Sequence, residues 1–295
     1  MEKRIFALGE ALIDYIEENN SINPYVGGAP LNFIAASSIY YPHSFFITLL
    51  STDEKSTFII NEMNRSRLNK NYIFIDEKYN TAYSLISLDE NHNRSFTFFK
   101  ENASFLYLYK LNFINNIQSQ DIFYFGTVCL LNNKNITYYH QILQKLKSQN
   151  NLILFDPNIR LSLFNKDNII SLIKDFLYYP AILKISDEEY KMVFDNKDIK
   201  EVFSSYNNLK LILLTLGENG CILYSKNNYI KIDAIKENII DTTGAGDTLF
   251  GAFIGQLIHQ DLDLSNLNLL KPLLKEASLL ANKVCSHKGC IPIIR

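Results

Sequence analysis

Ile239-Ile240-Asp241-Thr242-Thr243-Gly244-Ala245-Gly246-Asp247-Thr248-Leu249-Phe250-Gly251 is the most informative stretch of this 295-residue chain. A helical stripe follows it, formed by Phe250, Phe253, Ile254, Leu257 and Ile258. Gly251, Ala252 and Gly255 give that helix a face of small residues suited to close packing. Gly244, Ala245 and Gly246 therefore stand where a loop becomes a helix N-terminus. Successive free backbone N–H groups there, with the positive end of the helix dipole, make an anion site. Two familiar phosphate motifs are excluded. There is no G-x-x-x-x-G-K-[ST], and a Rossmann fingerprint would need glycine where Leu249 stands, at the start of a βαβ unit. A purely structural turn leaves Asp247 unexplained, because its carboxylate would be repelled by an anion in the hole. It makes sense as the acceptor of a proton from a hydroxyl that attacks phosphorus.

Outward from this loop, short apolar runs alternate with helical patterns. Arg4–Leu8, Phe45–Leu50, Asp121–Val128, Leu152–Phe155, Ala181–Ile185 and Lys210–Leu216 read as strands. Leu31–Tyr40, Ile136–Leu146 and Asn168–Leu177 read as helices. Continuous apolar strands alternating with helices predict a parallel sheet covered on both faces. Leu12–Tyr25 and Thr81–Phe99 break the rhythm, being rich in aromatic and β-branched residues without a helical stripe. The second has a polar turn, Asp89–Asn93, between two arms, and reads as a hairpin. By pattern alone these two segments are either a lid over a site or an edge extension.

Composition narrows the classes. With 47% hydrophobic and 20% charged residues the chain is globular, and it is long enough to bury a core without disulfides. The balance of 29 basic against 31 acidic residues offers no broad basic field for nucleic acid or anionic lipid. No apolar stretch reaches the roughly 20 residues of a membrane span. Met1 to Ile5 run into a strand without a basic, apolar leader. The four cysteines form no C-x-x-C pair and the five histidines do not cluster near them. A reduced, cytoplasmic protein without a zinc site is expected.

Asp241-Thr242-Thr243-Gly244-Ala245-Gly246-Asp247 resembles the C-terminal signature of the PfkB (ribokinase-like) carbohydrate kinases, and Gly27-Gly28-Ala29-Pro30-Leu31-Asn32 resembles their N-terminal signature. The two stand in the right order at opposite ends of the chain, and the resemblance covers essentially all of residues 1–295. It implies one ribokinase-like domain, a three-layer α/β/α sandwich with a mainly parallel central sheet. A small β-sheet lid would come from residues 12–25 and 81–99.

The resemblance also assigns roles. Asp247 is implied as the general base, with Gly244, Ala245 and Gly246 as donors to the phosphoryl group. Asp14, Gly27, Gly28, Asn32 and Asn158 are implied in sugar binding, and Arg160 in stabilising phosphoryl charge. Thr215, Gly217, Gly220 and Asn282 would line the nucleotide, and Gly289 falls in the same wall as Asn282. Glu189 would act through water on Mg²⁺, and Asp241 with the Thr243 carbonyl could hold a monovalent cation such as K⁺. Without the family pattern, Asp14 reads as a solvated loop residue, Asn32 as a helix-start residue, Arg160 as a surface arginine, and Gly217 and Gly220 as turn glycines. Ser186 departs from the family's asparagine in the Ser186-Asp187-Glu188-Glu189 segment.

Among the branches, Gly9-Glu10-Ala11-Leu12-Ile13-Asp14, Ala29-Pro30, the Arg94–Phe99 arm and Asp156-Pro157-Asn158-Ile159-Arg160 most resemble fructokinases. The implied reaction is ATP-dependent phosphorylation of D-fructose at its 6-hydroxyl. Ser51-Thr52-Asp53, Lys100 and Ala103-Ser104 depart from that branch, which leaves 2-keto-3-deoxygluconate, ribose or a nucleoside as alternative substrates. A non-catalytic sugar or nucleotide sensor and a hydride-transfer enzyme are the other classes. The resemblance also allows a homodimer through the lids.

Overall fold

Residues 2–18, 21–88, 94–235 and 239–289 are described by the computed structural model of the chain. The turn expected at Asp89–Asn93 and Cys290 lie outside them. The N-terminal half comprises β1 (Ile5–Leu8), β2 (Leu12–Glu18), β3 (Ser21–Gly27), α1 (Ala29–Tyr40), β4 (Ser44–Leu50), α2 (Glu54–Arg65) and β5 (Ile73–Ile75). There follow β6 (Tyr83–Leu88), β7 (Arg94–Phe99), β8 (Ile122–Phe125), α3 (Asn133–Ser148), β9 (Leu152–Phe155) and α4 (Lys166–Phe176). The remainder holds β10 (Ile182–Ser186), α5 (Asp187–Phe194), α6 (Ile199–Ser205), β11 (Leu211–Thr215), β12 (Cys221–Tyr224) and β13 (Tyr229–Ile232). The last two helices are α7 (Ala245–His259) and α8 (Leu267–Cys285).

The larger sheet has nine strands in the order β13-β12-β11-β10-β9-β8-β1-β4-β5. Every pair from β5 to β11 is parallel, and β12 and β13 add an antiparallel edge. Its strands are apolar on both faces because both are covered. Ile5, Ala7, Ile122 and Tyr124 pack with residues of α1, α2, α7 and α8. Phe6, Leu8, Phe123 and Phe125 pack with residues of α3, α4, α5 and α6. These are the three layers expected.

Element ends differ from the sequence expectation for identifiable reasons. The strand expected over Asp121–Val128 is shorter, Ile122–Phe125, because its partners β1 and β9 end opposite Phe125, at Leu8 and Phe155. Val128 instead opens a 3₁₀ turn. Helix α1 begins two residues before Leu31, with Pro30 in its first turn, where a missing N–H costs nothing. Helix α3 begins at Asn133 because the Asn132 side chain caps it, accepting from the Lys134 N–H at 2.8 Å.

The small faces of α1 and α7 meet directly. A Cβ placed on Gly251 would lie 2.2 Å from the Phe33 carbonyl oxygen, so only glycine lets the helices approach this closely. That contact fixes the N-terminus of α7 against the N-terminus of α1.

The second sheet has four strands in the order β3-β2-β6-β7. The Leu12–Tyr25 and Thr81–Phe99 segments each form an antiparallel pair, and β2 and β6 join them in parallel with Asp14 opposite Ser84.

Candidate active site

The C-terminal ends of the parallel strands open into a cleft of about 730 Å³ at the place where ligands sit in such sheets. Four segments converge there: Glu10 beyond β1, Asn32 on α1, Asn158–Leu163 beyond β9, and Thr242–Asp247 at the start of α7. Leu12, Asp14, Ser84 and Phe98 of the small sheet line it too, as do Gly28, Ala29, Val128 and Lys184.

Gly244 precedes α7 in the left-handed conformation (φ 75°), which turns the loop into the helix without steric cost. The Ala245 N–H donates to the Thr242 carbonyl at 3.2 Å, and the Thr248 N–H to the Gly244 carbonyl at 2.9 Å. Between them, the N–H groups of Gly246 and Asp247 have no backbone carbonyl partner among the described residues, and both residues line the cleft. Of the donors expected from the sequence, Gly244, Ala245 and Gly246, the Ala245 N–H is instead engaged by Thr242 and Ala245 does not line the cleft, which leaves Gly246 and Asp247 as the open pair. Asp247 is buried, and its Oδ2 accepts from Asn32 Nδ2 at 3.0 Å. Asn32 is the fourth residue of α1 and does not cap it; the cap position belongs to Gly28.

Asp14 is half-buried in the cleft wall and accepts a hydrogen bond from the Ser84 hydroxyl of the paired strand. Burial raises its carboxyl above the usual aspartate range, while Ser84 and Arg160 oppose that shift. Gly27 stands beside it, where a Cβ would lie 2.3 Å from Asp14 Oδ2. Asn158 and Arg160 both line the cleft, and Asn158 takes the left-handed region (φ 42°), which asparagine tolerates better than most residues.

Glu189 does not line the cleft. Ser186 and Glu189 form a capping box at the start of α5, and Glu189 Oε1 accepts from the Ile159 N–H at 2.6 Å. Glu189 thus ties α5 to the Asn158–Arg160 loop. The serine at 186 supplies the cap, and S-x-x-E is itself the sequence signal for one. Thr215 ends β11, and Gly217 and Gly220 bracket the turn into β12; none lines the cleft. Asn282 on α8 donates to the Ile235 carbonyl at 2.7 Å. Asp241 Oδ1 accepts from the Thr243 N–H at 2.9 Å and its hydroxyl at 2.6 Å, while the Asp241 N–H donates to the Cys285 carbonyl. This docks the loop before α7 on the end of α8.

Two buried charged residues of the cleft were not singled out by sequence. Glu10 has its carboxyl pushed up to about 7 by burial, with Asp247 adding to the rise. The Cys129 thiol donates to it at 3.4 Å. Lys184 projects from β10 and forms an ion pair with Asp156, Nζ to Oδ2 at 2.9 Å. Their signals were a carboxylate two residues beyond a buried strand and a lone lysine in the apolar run Ala181–Ile185.

No group of three or more His, Cys, Asp or Glu residues among the described residues could hold a metal ion. No helix among the described residues is long and apolar enough to cross a membrane.

The model of the pfkB family of carbohydrate kinases matches residues 2–294. The chain belongs to this family. Its fold is accordingly ribokinase-like, and its reaction class is that of a carbohydrate kinase. The chain is 27% identical over 304 aligned positions to a probable fructokinase-2 of Arabidopsis thaliana, covering 98% of this chain and 92% of that protein. Among solved structures it is similar to a fructokinase of Xylella fastidiosa with bound ATP, with TM-score 0.88 and 20% identity over 100% of this chain and 95% of that one. It is also similar to a double-mutant fructokinase of Vibrio cholerae bound to fructose, ADP and potassium ion, with TM-score 0.85 and 21% identity. That match covers 99% of this chain and 94% of the other.

Proposed function

We propose that this pfkB kinase transfers the γ-phosphoryl group of ATP to the 6-hydroxyl of D-fructose. The observation that carries the chemistry is the position of Asp247, third in α7, with Oδ2 held by Asn32 beside the open Gly246 N–H. The sugar hydroxyl gives its proton to Asp247 as its oxygen bonds to phosphorus and the bond from phosphorus to the ADP oxygen breaks. A carboxylate is a weak base, which suffices when the transition state is loose and proton transfer is late. The N–H groups of Gly246 and Asp247 hold the equatorial oxygens, and Arg160 offers a planar fork of donors from the opposite loop.

Asp14, Asn32 and Asn158 bind the sugar hydroxyls, with Gly27 and Gly28 closing the backbone around them. Thr215, Gly217, Gly220 and Asn282 bound the nucleotide. Glu189 would hold Mg²⁺ through water, and the ion when bound would supply charge neutralisation to the phosphates. The Asp241–Thr243 loop, whose hydrogen bonds order the approach to the hole, is the place for a monovalent cation.

Fructose as the acceptor is supported by whole-length relatives named fructokinase and by the Gly9–Asp14 and Asp156–Arg160 segments in the cleft. The departures from the fructokinase pattern lie elsewhere: Ser51, Lys100 and Ser104 do not line the cleft, and neither does Asp53, where the pattern's aspartate is kept. Asp53 instead caps α2 and accepts from the Thr81 N–H at 2.8 Å. An ADP-release screen over fructose, ribose, 2-keto-3-deoxygluconate, adenosine and inosine tests this choice. The highest kcat/KM on fructose is expected, and a higher value on any other acceptor overturns it.

A further inference from the structure

Strand β10 ends in the polar Ser186 and is otherwise apolar except for Lys184, which lines the cleft. Leu183 and Ile185 face the α3–α6 layer, while Ile182 faces the α1–α7–α8 layer. Lys184, two residues beyond Ile182, shares the latter's side, with its side chain only 8% exposed. A lysine placed there must have a partner, and Asp156 supplies one through both oxygens, at 2.9 and 3.0 Å.

Ion pairing alone does not explain the location. A Cβ added to Gly246 would lie 3.1 Å from Lys184 Nζ. Gly246 has no left-handed φ, so its backbone does not demand glycine; a Cβ there would instead press on the Lys184 ammonium and shift it by a few tenths of an ångström. The ammonium therefore abuts the N-terminal turn of α7. That end carries the positive pole of the helix dipole, which repels a cation unless an anion lies against both. An ammonium has three N–H donors, and Asp156 accounts for two. Burial works against the lysine's charge, but Asp156, Asp247 and Glu189 outweigh it and keep the group protonated.

We propose that Lys184 is a catalytic cation that contacts a non-bridging oxygen of the transferring γ-phosphoryl group, with Asp156 holding its ammonium at the hole. This rests on the phosphoryl-transfer reading of Gly244–Asp247. Lys184 keeps its proton throughout; the hydroxyl proton goes to Asp247, and the phosphorus changes its bond from the ADP oxygen to the sugar oxygen. The third donor of Lys184 and the N–H groups of Gly246 and Asp247 then converge on the same phosphoryl oxygens.

The test compares wild type, Lys184→Met, and the double variant Lys184→Met with Asp156→Asn. Lys184→Met leaves a buried carboxylate unpaired and is expected to lower Tm. The double variant leaves no unpaired buried charge and is expected to recover Tm. Its kcat should nevertheless remain about 10²-fold below wild type, on whichever sugar wild type turns over fastest, with sugar KM within about 3-fold. A second readout needs no turnover: aluminium fluoride should tighten ADP binding to wild type in the presence of sugar, and this gain should vanish in the double variant. Gly246→Ala, which displaces the ammonium without removing its charge, should weaken the same gain and covers the case in which the double variant does not fold. Wild-type kcat in a folded double variant, or an undiminished aluminium fluoride gain in either altered protein, would show that Lys184 only neutralises Asp156. Failure of wild type to phosphorylate fructose, with these binding differences intact, would count against the proposed acceptor and leave Lys184 supported.

Discussion

Asn32 and Asp247 meet where α1 packs on α7, the Asn32 side-chain amide donating to Asp247 Oδ2 at 3.0 Å. The bond leaves Asp247 Oδ1 for the reacting hydroxyl. The Asn32 Oδ1 atom is itself buried with no partner among the described residues, and an orphan acceptor in such a place suits a substrate hydroxyl. Asn32→Ala should therefore lower kcat by about 10-fold and raise sugar KM, since hydrogen bonds to charged groups contribute about 1.5–3 kcal/mol. Steady-state kinetics with both substrates varied checks this; an unchanged kcat would mean that Asp247 needs no such support.

Asp14 sits on the small sheet, one strand away from Ser84, and faces the cleft. Asp14→Ala should raise the KM for the sugar by about 10²-fold, the loss expected when hydroxyls meet no acceptor. Affinity for ATP, measured by calorimetry, should hardly change. Equal weakening of both substrates would assign Asp14 to the sheet's integrity.

The Gly251 contact with the Phe33 carbonyl makes a stability prediction. In Gly251→Ala a Cβ meets rigid backbone at 2.2 Å, so the helices must separate. Overpacking of this kind costs about 1–3 kcal/mol. Urea unfolding should show the midpoint falling accordingly, and an unchanged midpoint would contradict the packing described.

Glu10 should make stability depend on pH. Its carboxyl is pushed up to about 7 in the folded chain from 4.5, so the folded state retains a proton that the unfolded state releases. The stability this retention provides is present below pH 4.5 and is lost as pH rises towards 7. Glu10→Gln removes the loss, so at pH 8 the variant should gain roughly 3 kcal/mol relative to its standing at pH 4. Denaturant titrations at the two pH values check this; parallel behaviour of variant and wild type would show that Glu10 is ionised in the fold.

The layered fold was legible because strands buried on both faces leave continuous apolar runs, as at Leu152–Phe155, and because Gly251 and Gly255 announce close helix packing. The loop-to-helix turn before Asp247 was legible because glycines and Asp247 are adjacent in sequence, but not that the Ala245 N–H turns back to Thr242, which depends on the fold of the loop. Lys184 and Asp156 were harder to see. Each is a single charge beside an apolar strand, and their pairing depends on β9 and β10 lying side by side, 28 residues apart in sequence. Glu189 illustrates the opposite difficulty. Its spacing from Ser186 serves a helix cap as readily as a metal, and the structure engages it in the cap and in the Ile159 N–H.

The most direct test of phosphoryl transfer with Asp247 as base is the kcat of Asp247→Asn on the sugar that wild type prefers. Asparagine preserves the shape and can still pair with Asn32, but it cannot take up the hydroxyl proton. The predicted result is a kcat lower by about 10²-fold or more, with Tm and ATP affinity close to wild type. A purified Asp247→Asn enzyme that turns over at the wild-type rate would contradict it.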